Sequence, residues 1–85
     1  MSESMNTQFC RSMYNRIMND VHKHVDKKLI KEAWVWKDTC AAHPSWEFQI
    51  PSVKMYWYGQ ASCVWDAKVE GWTSYLRKIG VEDYQ

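Results

Sequence analysis

Apolar residues along the chain fall into patterned stretches separated by polar or turn-forming residues. The clearest runs from Ala61 to Ile79, where Ala61, Trp65, Val69, Trp72, Leu76 and Ile79 recur at spacings of four, four, three, four and three. At 100° per residue these side chains fall within an arc of about 80°, which predicts an amphipathic helix. Asp66, Glu70, Thr73, Ser74 and Arg77 point away from that stripe, and Gly80 stands where a left-handed helix cap wants a glycine. A second helical pattern covers about 6–27. Cys10, Met13, Tyr14, Ile17, Val21 and Val25 form one broad face, and Arg11, Asn15, Arg16, Asn19, His22, Lys23 and Lys27 the other. Asn6 or Thr7 can cap it, and Lys28 would fall in the apolar face, so the helix is predicted to end before that residue.

Between these helices the pattern changes period. Trp46, Phe48 and Ile50 alternate with Glu47 and Gln49, and Val53, Met55 and Trp57 alternate with Lys54, Tyr56 and Tyr58. Alternation of this kind predicts two half-buried strands. Pairing them as a hairpin sets Ile50 against Val53, Phe48 against Met55 and Trp46 against Trp57. Pro51 cannot take the positive φ of a tight two-residue turn, so a longer loop or a bulge is expected there. Residues 29–42 carry two conflicting signals. Leu29, Ala33, Trp36 and Cys40 fit a helical stripe, and Asp26 can cap a helix with Val25 and Ile30 as its hydrophobic staple. Ala33-Trp34-Val35-Trp36 has the composition of a strand, and a strand over about 31–38 is the reading adopted. His43-Pro44 ends the following loop. Gly71, inside the last helix, costs about 1 kcal/mol relative to alanine, and marks a close approach of another backbone if it marks anything.

The order is helix, three strands, helix. An α+β domain with a three-stranded antiparallel sheet and both helices on one face (αβββα) buries both apolar stripes in two layers. The competing architecture is a small all-α bundle, with 29–42 helical and the last helix starting near Ser52. Residues 1–85 read as a single domain, with 1–5 and 81–85 as loose tails. The order is similar to that of double-stranded RNA-binding domains. That family places a lysine cluster at the start of its second helix, where this chain has Ser62-Cys63-Val64-Trp65-Asp66. The likeness is therefore one of topology and implies no membership.

Composition sharpens the functional question. The chain is 46% hydrophobic and holds six Trp, five Tyr and two Phe, more rings than an interior of this size can enclose. Some are expected at the surface, as a contact site. Net charge is +1, but residues 11–37 carry a surplus of four positive charges and 38–85 a deficit of two. The start is polar, without the basic and apolar segments of a secretory signal, and no apolar run approaches the roughly 18 residues of a membrane helix. Three widely spaced cysteines, Cys10, Cys40 and Cys63, suit free thiols in a reducing cytoplasmic setting.

Candidate chemistry follows from these residues. His22-Lys23-His24 and Cys40-x-x-His43 contain fragments of zinc motifs, but on a helix His22 and His24 lie about 160° apart. Cys40, His43 and His24 remain as the conceivable ligands, no complete pair of metal-binding motifs is present, and no metal or cofactor is expected. There is no Gly-rich phosphate loop, G-x-S-x-G or H-E-x-x-H, so an enzyme is not expected. Trp34 and Trp36 share one face of their strand, and either they or Ala33 and Val35 turn inward. With the Trp pair outward, Trp34, Trp36, Tyr56 and Tyr58 make an aromatic platform on the sheet face away from the helices. The expectation is a non-enzymatic interaction protein, an inhibitor or accessory subunit docking this platform on a protein partner or on a second copy as a homodimer, with no small-molecule substrate. The alternative is an RNA or single-stranded nucleic-acid binder. It would use Arg16, Lys23, Lys27, Lys28 and Lys31 for phosphates and the sheet rings for stacking.

Overall fold

The first helix, α1 (Met5–His24), starts from Ser4, whose hydroxyl accepts a hydrogen bond from the Thr7 N–H at 3.1 Å. The cap lies before both expected candidates, two residues ahead of Asn6 and three ahead of Thr7. The computed structural model describes residues 4–40 and 42–85; of the expected N-terminal tail, residues 1–3 lie outside the described residues. α1 stops at His24 rather than at about 27, because Val25 turns extended (φ −122°) and buries its side chain. Asp26 then caps a second helix, α2 (Lys27–Glu32), its carboxylate accepting from the Lys28 N–H at 2.8 Å. The break lets Leu29 and Ile30 reach the core, which a continued α1 would have denied them by placing Lys28 inward. The strand expected over 31–38 is therefore a helix up to Glu32 and a shorter strand, β1 (Trp34–Asp38), after it.

β1, β2 (Ser45–Ile50) and β3 (Met55–Gln60) form an antiparallel sheet in that order. The αβββα reading holds, with α2 added. Hairpin register differs from expectation by two residues on β3: Ile50 faces Met55, Phe48 faces Trp57 and Trp46 faces Gly59. The cause is the longer loop that Pro51 forces. Pro51–Val53 make a turn of 3-10 helix, and Lys54 takes left-handed angles (φ 55°, ψ 34°) to send the chain back. The Glu32 carboxylate accepts from the Ser52 N–H at 2.6 Å and ties this turn to the end of α2.

α3 (Val64–Lys78) begins three residues later than the start of its apolar stripe, after Ala61–Cys63 cross from the sheet. Asp66 reaches back from the first turn and accepts from the Ser62 N–H at 2.9 Å. Gly80 closes the end with φ 84°, as its position suggested. Ile79, last in the expected stripe, lies past the last helical residue and is exposed. α1 and α3 lie on one sheet face, where Val21, Phe48, Ile50 and Leu76 are fully enclosed. Phe48 meets Trp72 edge-on at 5.1 Å. Gly71 faces the Phe48 ring, not another backbone.

Residues 81–85, expected as a loose tail, are fastened. Glu82–Tyr84 form a 3-10 turn, and the Tyr84 hydroxyl donates to Asp20 at 2.6 Å. Arg77 Nε donates to the Tyr84 carbonyl at 2.8 Å. Tyr84 and Val81 pack against the edge of the core.

Candidate functional site

Strand parity decides which rings reach the outside. Val35 pairs with Phe48, so it shares the inner face, and Trp34 and Trp36 are turned out. The far face of the sheet is then built of three cross-strand rows: Trp34–Gln49–Tyr56, Trp36–Glu47–Tyr58 and Asp38–Ser45–Gln60. Trp34 is 39% exposed, Trp36 63%, Tyr56 55% and Tyr58 47%. All four expected platform residues are thus on one side of the sheet, opposite the helices.

Two carboxylates lie among these rings. The Tyr56 hydroxyl donates to Glu47 Oε2 at 3.0 Å, and the Tyr58 hydroxyl donates across β2 to Asp38 Oδ2 at 2.6 Å. These bonds link the rings of β3 to carboxylates on β2 and β1 in a lattice over the sheet. Tyr58 ionises above its ordinary range, first because the neutral hydroxyl is bound to Asp38. Tyr56 is raised first by desolvation and then by its bond to Glu47. Both carboxylates also act through space on both hydroxyls, so the rings share one negative field. Ser45 is enclosed at one end of this lattice, with His43 Nδ1 3.2 Å from its hydroxyl.

The basic residues occupy other elements. Arg16 and Lys23 are on α1, Lys27, Lys28 and Lys31 on α2, and all five are exposed. The helices cover the inner sheet face, so these cations and the platform rings belong to different layers. His24 ends α1, while Cys40 and His43 lie in the β1–β2 loop; among the described residues no group of three His, Cys, Asp or Glu side chains is placed to hold a metal ion. A cleft of about 510 Å³ brings His24, Asp26 and Glu82 together near Tyr75, and the described residues that line it include no thiol or aliphatic hydroxyl.

Sequence reasoning missed an exposed stripe on α1. Met5, Phe9 and Met13 are 85%, 63% and 40% exposed. Their spacing of four is the signal for it, and Met13, which the periodicity places on the core face, is instead exposed. The tyrosine–carboxylate pairs were missed too, since they depend on which strands are neighbours. No family model matches this chain, and no similar protein was found among curated sequences or solved structures.

The thiols differ in environment. Cys40 is exposed and Cys10 is buried, and burial pushes the Cys10 thiol up. Cys10 and Cys63 flank the Ser62 hydroxyl at 3.9 and 4.0 Å. Iodoacetamide at neutral pH is expected to modify Cys40 first and Cys10 only on unfolding, read by mass spectrometry of timed digests. Equal rates for the two would show that the N-terminal end of α1 opens freely.

Proposed function

We propose that this protein acts without catalysis, by docking the open face of its sheet onto a protein partner as a small inhibitor or accessory subunit. One observation carries the reading: two Trp and two Tyr stand side by side on a sheet face that, among the described residues, no element covers. Rings of this type bury large area for little rotamer entropy and dominate interface energetics. The cytoplasm is the setting that three free thiols favour, and belongs to the same proposal.

A nucleic-acid role for the whole set of candidates is less well supported. It would need phosphates on α1 and α2 while bases stack on the opposite layer, beside Glu47 and Asp38. Self-association through the platform would bring those carboxylates toward their own copies.

The test is capture from nuclease-treated lysate by the wild-type protein, by Trp36→Ala and by a double Lys27→Glu, Lys31→Glu variant. Loss of a specific protein, at least tenfold, from Trp36→Ala alone is the expected result. Capture indifferent to Trp36→Ala, or lost only in the α2 variant, would overturn the reading. Trp36 is on an edge strand and 63% exposed, so the variant should retain the wild-type melting temperature within a few degrees.

A further inference from the structure

The strand positions of the platform carry charge of one sign, while Lys54 is exposed in the turn that leads into β3. These nine positions, 34, 36, 38, 45, 47, 49, 56, 58 and 60, include Asp38 and Glu47 and no Lys or Arg. The basic residue next to them in β1, Lys37, has its ammonium 5.9 Å from the ring of Trp46, a residue of the inner face. From this we infer that the platform takes a cationic segment of its partner: an extended stretch with Arg or Lys at alternate positions. This rests on the sheet-docking reading and adds the chemistry of the partner.

Three features support that occupant. The first is the combination of groups. Indole and phenol faces attract a guanidinium or ammonium through the ring quadrupole, and a carboxylate beside the ring gives it a paired hydrogen bond. Row Trp36–Glu47–Tyr58 offers a ring on each side of a carboxylate. An Arg can lie flat on one ring with its fork on Glu47, an arrangement a Lys matches only as a point charge.

The second feature is spacing. Glu47 pairs with Trp36, and Asp38 stands two residues further along β1, so the carboxylates are diagonal neighbours. Diagonal neighbours on one sheet face are about 7–8 Å apart. Alternate side chains of an extended peptide are about 7 Å apart and point the same way. Cations at positions i and i+2 therefore match Glu47 and Asp38, whereas adjacent cations would point to opposite sides.

The third is preorganisation. Each carboxylate is held by a tyrosine hydroxyl, at 3.0 Å for Glu47 and 2.6 Å for Asp38. Less side-chain entropy is then lost on binding than for a free surface Glu or Asp. The same field disfavours a phosphate backbone on this face, which separates a basic peptide from RNA as the occupant.

The experiment titrates the full chain with labelled peptides at physiological salt and follows anisotropy together with the emission of the exposed indoles. The probes are an octapeptide alternating Arg and Ala, one with four consecutive Arg followed by four Ala, an alternating Glu–Ala peptide and an oligouridylate. The alternating Arg peptide should bind saturably, at least fivefold tighter than its block isomer. Glu47→Gln and Asp38→Asn, which keep the side-chain shape and one acceptor oxygen while removing the charge, should each weaken it by at least fivefold, and Trp36→Ala by at least tenfold. The Glu peptide and oligouridylate should not bind this face. Failure of the alternating Arg peptide to bind, equal binding to the two carboxamide variants, or oligouridylate competing for the same indoles would overturn the inference. The two carboxamide variants are also run in the capture assay. A partner lost on Trp36→Ala but indifferent to Glu47→Gln and Asp38→Asn removes the cationic class and leaves sheet docking standing; a partner indifferent to all three removes both.

Discussion

Gly71→Ala is expected to lower stability by about 2–4 kcal/mol, although alanine is the better helix former by about 1 kcal/mol. The cause is a single contact. A Cβ on Gly71 would fall on the Phe48 ring, with Cδ1 and Cδ2 each 2.5 Å away. The ring cannot step aside, because Phe48 is 1% exposed and is held edge-on by Trp72 at 5.1 Å. Relief needs either a shift of α3 away from β2 or a strained Phe48 rotamer, and each loosens the packing around Ile50 and Leu76. Urea unfolding should show a lower midpoint with little change in slope. The double variant Gly71→Ala, Phe48→Leu separates this mechanism from a general helix effect. Phe48→Leu alone should destabilise, while in the Gly71→Ala background it should recover part of the loss, a coupling of about 1 kcal/mol or more. A Gly71→Ala protein as stable as the wild type would mean that α3 does not sit on the sheet as described.

Much of this arrangement was legible because its signals are local and strong. α3 announces itself through the spacing of Val69, Trp72 and Leu76, and β2 through the alternation of Trp46, Phe48 and Ile50. Residues 26–38 were harder because two valid local signals compete. The Asp26 cap favours a helix and Trp34-Val35-Trp36 favours a strand, and the chain uses both in succession with Ala33 as the joint. The β2–β3 register was not legible, since it turns on Lys54 adopting left-handed angles, a conformation for which lysine gives no notice. The platform rings followed from parity alone once the inward side of β1 was known. The carboxylates did not, because Asp38 and Tyr58 meet only after β1 and β3 have been set on either side of β2. The same limit hid the C-terminal anchor, where Asp20 and Tyr84 are 64 residues apart in sequence.

That anchor carries the second large effect. Tyr84→Ala is expected to cost about 2–3 kcal/mol, from the loss of a half-buried ring at the edge of the core and of a hydrogen bond to a charged acceptor. Tyr84→Phe keeps the ring and loses only the bond, so about 1–2 kcal/mol is expected. Deletion of residues 81–85 should match Tyr84→Ala or exceed it, since the Arg77 bond to the Tyr84 carbonyl goes as well. pH gives an independent readout. Desolvation and then the bond to Asp20 push the Tyr84 hydroxyl from its ordinary 10 up to about 12. The folded state therefore holds this proton more tightly than the unfolded chain does. The resulting stabilisation is fully present below pH 10 and is lost as pH rises toward about 12. Wild-type stability should fall through that window, and the fall should be shallower in Tyr84→Phe, which has no proton there to lose. Tyr14, raised by burial, and Tyr56 and Tyr58, raised as described above, keep some of the alkaline limb in both proteins. A Tyr84→Ala protein within 0.5 kcal/mol of the wild type, a margin ordinary for surface substitutions, with an unchanged alkaline limb, would mean that the C-terminal turn is not fastened to α1 in solution. Val81 and Tyr84 would then leave the edge of the core open beside Asp20, and α1 would hold to the sheet only through its packing on α3 and the residues it buries around Val21.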